Sequence, residues 1–131
     1  MRKKKKRNSK HQPHSQGHRQ VARALKRIGV SVKNEYVIDS LPYDIFIKDF
    51  NLIIEYYGDR WHYPKKVYPP DYWDKVKKRY VYEKWEKDEQ KIEFAREQGY
   101  NVEVIWEHEW KRLSDKTRFV QKIIRKYLKQ N

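Results

Sequence analysis

Cysteine is absent from this chain, which excludes a disulfide framework and any thiolate metal site. No apolar run approaches the roughly 20 residues that cross a bilayer, and no stretch has the make-up of a signal peptide. A cytoplasmic location without membrane attachment is therefore expected. No internal repeat is visible. Acid is missing from one end: residues 1–20 hold eight of the 32 Lys and Arg and no Asp or Glu. The remaining 111 residues of the 131 carry the other 24 bases against all 18 acids. The net charge of +14 thus belongs to the body as well as to the tail, and it favours a polyanion partner.

What is present suits one small domain. The hydrophobic fraction is 37% and the charged fraction 38%, so the core must be economical. Eleven Tyr and five Trp can supply much of its buried area, and a disordered chain would not carry so many. Residues 1–14 are polar and basic without periodicity, and read as a flexible arm preceding a domain over 15–131. Ser15 can cap a helix that ends before Gly29, with Val21, Ala24, Leu25 and Ile28 on one face. Short extended segments follow at 30–32 and 36–38; Pro42 interrupts them. Tyr43–Ile47 reads as a strand, 48–51 as a turn, and Leu52–Tyr57 as a second strand, apolar enough to be central. Residues 63–82 are irregular and rich in proline and aromatics. A helix from about Glu83 to Gln98 stops at Gly99, a third strand spans Asn101–Trp106, and Ser114 starts a last amphipathic helix through Leu128. A hairpin followed by a helical crossover predicts an α/β fold with a central mixed sheet flanked by helices.

Three acids stand where packing alone would not put them. Asp44 lies inside a strand, Glu55 directly follows Leu52-Ile53-Ile54, and Asp88 shares a helix face with Trp85, Ile92 and Ala95. Buried carboxylates are costly unless paired or bound to a cation. Neighbouring strands bringing Asp44 and Glu55 to one edge would make an oxygen-rich pocket suited to Mg²⁺. His62 follows closely, and an imidazole near such an edge can deprotonate water because histidine titrates near neutral pH.

Asp44, the run Ile54-Glu-Tyr-Tyr-Gly-Asp-Arg-Trp-His62, and Glu86-Lys-Asp88 through Gly99-Tyr100 to Val104-Ile-Trp-Glu107 resemble the very-short-patch-repair endonucleases. They are closer still to the related phage-encoded and homing endonucleases, a branch of the PD-(D/E)xK superfamily. The resemblance covers about residues 15–110. It implies a restriction-endonuclease-like core and a Mg²⁺-dependent hydrolase of DNA phosphodiesters, with Mn²⁺ able to substitute and no small-molecule cofactor. It also implies residue roles. Asp44 and Glu55 would bind metal with the Tyr56 carbonyl, His62 would be the base, and Asp88 would support the histidine and the attacking water. Two positions depart from the pattern. Tyr57 stands where the superfamily has a lysine. His18 stands where the first helix usually carries a glutamate; it can still hydrogen-bond a metal-bound water, and Glu35 is an alternative substitute for the missing acid. Without cysteine the structural zinc of the patch-repair enzymes has no place, so the expectation is a phage or mobile-element nuclease, monomeric or weakly dimeric.

The DNA contacts expected are of two kinds. Arg2, Lys3, Lys4, Lys5, Lys6 and Arg7 would touch phosphates without reading sequence. Arg60, Lys65, Lys66, Lys77, Lys78 and Arg79 lie among Tyr68, Tyr72 and Trp73, where cations suit phosphates and rings can wedge into a base step. Trp85 is expected in the core; Tyr68, Tyr72 and Trp73 could be core or contact. The rival reading is a non-catalytic nucleic-acid-binding module that retains the fold. His18 favours it, and the joint presence of Asp44, Glu55, His62 and Asp88 opposes it.

Overall fold

A computed structural model describes residues 15–128, so the basic run Arg2–Arg7 lies outside the described residues. Helix α1 (Gln16–Arg27) starts where the sequence predicts. Ser15 is extended and its hydroxyl accepts the backbone N–H of His18 at 3.0 Å. Gly29 ends the helix at φ +87°, where Gly29 and Val30 return their N–H groups to Lys26 and Leu25.

Strand β1 (Lys33–Ile38) and strand β2 (Leu41–Ile47) form a hairpin across Asp39 and Ser40, both with positive φ, as a two-residue turn requires. Pro42 does not interrupt; it lies within β2 opposite Val37. The ladder to the next strand begins only at Ile45, so the missing N–H costs that ladder nothing. After a 3₁₀ turn (Lys48–Phe50), β3 (Leu52–Tyr57) is buried at every residue, which makes it central as predicted.

The segment after β3 is more ordered than its prolines suggest. It contains the short helix α2 (Asp59–His62) and a small hairpin, β4 (Trp73–Asp74) with β5 (Arg79–Tyr80). The Asp74 carboxylate ties the hairpin turn by accepting the N–H groups of Val76 and Lys77, each at 3.0 Å. Helix α3 (Val81–Glu97) begins two residues before the predicted start, and Gly99 closes it at φ +97°. Strand β6 (Asn101–Trp106) leads into α4 (Glu107–Arg112), a helix the sequence reading did not include. Helix α5 (Lys116–Leu128) is capped by Asp115, not Ser114: the Asp115 carboxylate accepts the Arg118 N–H at 2.9 Å.

The main sheet has the order β1-β2-β3-β6, with β6 parallel to β3 through the α3 crossover and the other pairs antiparallel. Alternation along β3 splits the core. Leu52, Ile54 and Tyr56 pack with α1, α4 and α5, whereas Ile53 and Tyr57 pack with Ile92 and Ala95 of α3. Ile53 and Ile54 are fully buried, and each contributes about 1.5–3 kcal/mol by leaving water. This is the mixed sheet flanked by helices that the element order predicts. Among the described residues no helix is long and apolar enough to cross a membrane.

Candidate active site

Glu55 falls on the α3 side of β3, between Ile53 and Tyr57, and is only 4% exposed. Its neighbour across the antiparallel ladder is Asp44 of β2. Glu55 Oε1 accepts the Asp44 backbone N–H at 2.8 Å, and Asp44 Oδ2 accepts the Tyr56 N–H at 2.8 Å. Each carboxylate is thereby locked to the partner strand's backbone. Opposite this point the β1–β2 pairing is distorted. Glu35 takes φ +55°, costly for a residue with a side chain, between the regular pairs Asn34–Ile45 and Tyr36–Tyr43. Glu35 is thus a half-buried residue at a kink.

His18 reaches the same edge from α1. It is buried, its Nε2 is 3.0 Å from Asn34 Oδ1, and its Nδ1 is 3.8 Å from Asp44 Oδ1. From α3, Lys91 places Nζ 3.0 Å from Glu55 Oε2. Burial pushes the Glu55 carboxyl above its ordinary pKa and the charge of Asp44 adds to this, with Lys91 opposing both.

The second cluster joins α2 to α3. His62 Nδ1 lies 2.7 Å from Asp88 Oδ2, and Lys84 Nζ lies 2.8 Å from Asp88 Oδ1. Burial works against the Asp88 charge, but the hydrogen bonds from His62 and Lys84 outweigh it and hold the carboxyl below its ordinary pKa. A carboxylate at Nδ1 selects the tautomer protonated there, which leaves the Nε2 lone pair for a proton. The ring is further fixed by Tyr57, stacked at 3.9 Å and 1°, and by the Trp85 indole N–H, donated to the carbonyls of His62 and Tyr63 at 3.2 and 2.8 Å. Trp85 is half-buried and serves as this brace instead of filling the core.

Tyr57 links the clusters. Burial, and then the charges of Asp88, Glu55 and Asp44, push its hydroxyl far above the usual phenol range, so it stays neutral. A cavity of about 400 Å³ opens beside the pair, lined by Tyr57, His62, Trp85, Asp88, Trp106 and His108.

Asp44 and Glu55 present hard oxygen donors side by side, and their mutual repulsion is what a divalent cation would relieve, so this pair fits Mg²⁺. Among the described residues no three His, Asp or Glu side chains make a metal cluster.

The predicted DNA-contact residues divide. Arg60, Lys65, Lys66 and Lys78 are exposed, as are Tyr72 and Trp73; Tyr68 is half-buried between the rings of Tyr63 and Tyr72. Lys77 and Arg79 are half-buried and hold the hairpin against α2. Lys77 Nζ sits 4.1 Å over the Trp61 ring and donates to the Arg60 carbonyl, and Arg79 donates to the Tyr63 hydroxyl and the Trp61 carbonyl. Sequence reasoning missed Lys84, Lys91 and Asn34. The two lysines were findable, because they stand four residues before and three after Asp88 on one helix face. Asn34 carried no such signal.

The four-stranded mixed sheet between helix layers defines an α/β fold with a central mixed sheet. No protein-family model matches the chain, and no curated protein matches it in sequence. Among solved structures, the catalytic domain of the homing endonuclease I-Bth0305I is similar, with a TM-score of 0.54 at 19% identity. The alignment covers 83% of this chain and 93% of that one, and at this identity it speaks for the fold alone.

Proposed function

We propose that the protein is a divalent-metal-dependent DNA endonuclease of the patch-repair-like, phage or mobile-element type. The observation that carries this reading is the juxtaposition of two pairs along β3 and α3. One is the carboxylate pair Asp44–Glu55; the other is a histidine oriented by a charged aspartate, His62–Asp88. The fold shared with a homing endonuclease catalytic domain supports it independently.

Asp44, Glu55 and the Tyr56 carbonyl would hold Mg²⁺ or Mn²⁺, which when bound neutralises the scissile phosphate and acidifies water. His62 Nε2 takes the proton of the attacking water, and Asp88 holds the ring and stabilises the imidazolium. The water oxygen bonds to phosphorus, the P–O3′ bond breaks, and O3′ gains a proton from solvent. The products are a 3′-hydroxyl and a 5′-phosphate. His18 lies beside Asp44 as a hydrogen-bonding group and, unlike a glutamate, brings no negative charge to the ion. Exposed Arg60, Lys65, Lys66 and Lys78 would meet phosphates, while Tyr72 and Trp73 offer rings to bases.

A non-catalytic DNA-binding module is the second reading, favoured by His18 at the first-helix glutamate position and by the lack, among the described residues, of a cluster of three metal-ligating side chains. Metal-dependent nicking separates the two. Supercoiled plasmid and phage DNA incubated with Mg²⁺ or Mn²⁺ should be nicked, with cleavage blocked by chelation, and sequencing the ends gives the site. Asp44→Asn should abolish cleavage and weaken divalent-ion binding, while affinity for DNA without metal stays the same or rises. Wild-type protein that binds DNA and never nicks it would establish the module instead.

A further inference from the structure

Glu55 has one open side. Its Oε1 is taken by the Asp44 N–H, a backbone donor that cannot leave without breaking the sheet. Its Oε2 faces Lys91 Nζ at 3.0 Å. The Glu55 side chain is 5% exposed and that of Lys91 29%, so the ammonium is the solvent-side cover of a carboxylate otherwise enclosed by protein. The backbone of Lys91 is held as well. Its backbone carbonyl accepts the Tyr43 hydroxyl at 2.7 Å, and Nζ lies 4.7 Å over the Tyr43 ring.

We propose that Lys91 is the resident counter-cation of Glu55 and must give way when a divalent ion binds Asp44 and Glu55, so that Lys91 sets the metal affinity of the site. The inference rests on the metal reading of Asp44 and Glu55. Its physical basis is repulsion: an ammonium on Oε2 and a dication bridging the same carboxylate are like charges at contact distance in a poorly solvated site, where Coulomb energies are several times those in water. Lysine suits the task. Its point charge sits on a flexible four-carbon stem, able to retreat along the Tyr43 ring, whereas arginine would clamp both carboxylate oxygens. Lys91 is here a positioning residue for the ion and its release.

Calcium supplies a probe that reads binding without cleavage. Calorimetric titration of the full chain with Ca²⁺ should show Lys91→Met binding at least about tenfold more tightly than wild type, since a competing cation has gone. Lys91→Arg should bind no more tightly than wild type. Without metal, Lys91→Met should melt below wild type, because Glu55 is left buried and unpaired, and Ca²⁺ should raise its melting temperature by more than it raises that of wild type. If Lys91→Met is poorly folded, Lys91→Gln makes the same test with a hydrogen bond retained to Glu55. A wild type that binds Ca²⁺ through Asp44, with Lys91→Met or Lys91→Gln binding equally or more weakly, overturns the proposal and leaves the metal reading standing. Failure of wild type and the Lys91 variants alike to bind Ca²⁺ overturns both.

Discussion

His62 shows how much of a residue's chemistry is set by what surrounds it. Its sequence context, between Trp61 and Tyr63, says only that it follows a strand. In the fold Asp88 takes Nδ1, Tyr57 covers one face of the ring, and the Trp85 indole holds the backbone. Under the proposed function, a ring so restrained is pre-oriented to use Nε2 as the base. His62→Ala should therefore retain divalent-ion binding while cleavage slows by about 10²–10⁴-fold, the usual contribution of a positioned general base. The residual rate should climb with pH as hydroxide replaces the base. If His62 only supports Tyr57, the variant will instead melt earlier, with cleavage falling in proportion to folded protein. Melting temperature and single-turnover rate, measured on the same sample, decide between these outcomes.

Helix α3 is the element that assembles the site, and its sequence explains why it can. Ile92 and Ala95 anchor one stripe in the core, and the turns before and beside them carry Lys84, Asp88 and Lys91. Spacings of three and four put these groups on one face, where Asp88 meets His62 and Lys91 meets Glu55. Asp88 is held below its ordinary pKa, so its contribution is complete above the normal carboxylate range and disappears as pH falls through it. Wild-type melting temperature should accordingly drop as pH falls through the ordinary carboxylate range and below it, where the paired carboxylate takes up its proton. Asp88→Asn should be less stable at pH 7 by about 1–3 kcal/mol and show a flatter acid limb. An acid limb unchanged by the substitution would mean that Asp88 does not couple folding to pH. The same helix was legible in the sequence except at its start, where it follows β5 directly and the extended Tyr80 at the N-cap makes no side-chain cap to mark the boundary.

At the scale of the whole molecule, charge would govern an encounter with DNA under the proposed function. The net charge of +14 divides between +8 in residues 1–20, where six consecutive bases stand at 2–7, and +6 in the remaining 111 residues, which also offer exposed aromatics at the β4–β5 hairpin. A basic arm of that kind would add affinity for any duplex by releasing counterions. Deleting residues 2–7 should therefore reduce the slope of log affinity against log salt, while any cleavage-site preference persists. An unchanged slope would place the arm away from DNA.

The amino-acid sequence by itself determined the order of α1, the main-sheet strands, α3 and α5, the central place of β3 and the glycine-terminated ends of α1 and α3, and it singled out Asp44, Glu55, His62 and Asp88 as candidates. These are local matters of periodicity, capping and buried charge, and each is decided by residues a few positions apart. Only the tertiary structure decided the rest. The prolines of 63–82 suggested irregular chain, but long-range bonds from Tyr63, Lys77 and Arg79 make a clamped hairpin of it. Asp44 and Glu55 became a pair because the antiparallel register of β2 and β3 sets them side by side. Their counter-ion came from Lys91, 36 positions along the chain from Glu55, through a crossover helix whose docking angle no local pattern encodes. Register and helix docking arise from the packing of the whole core, which no short window of sequence contains.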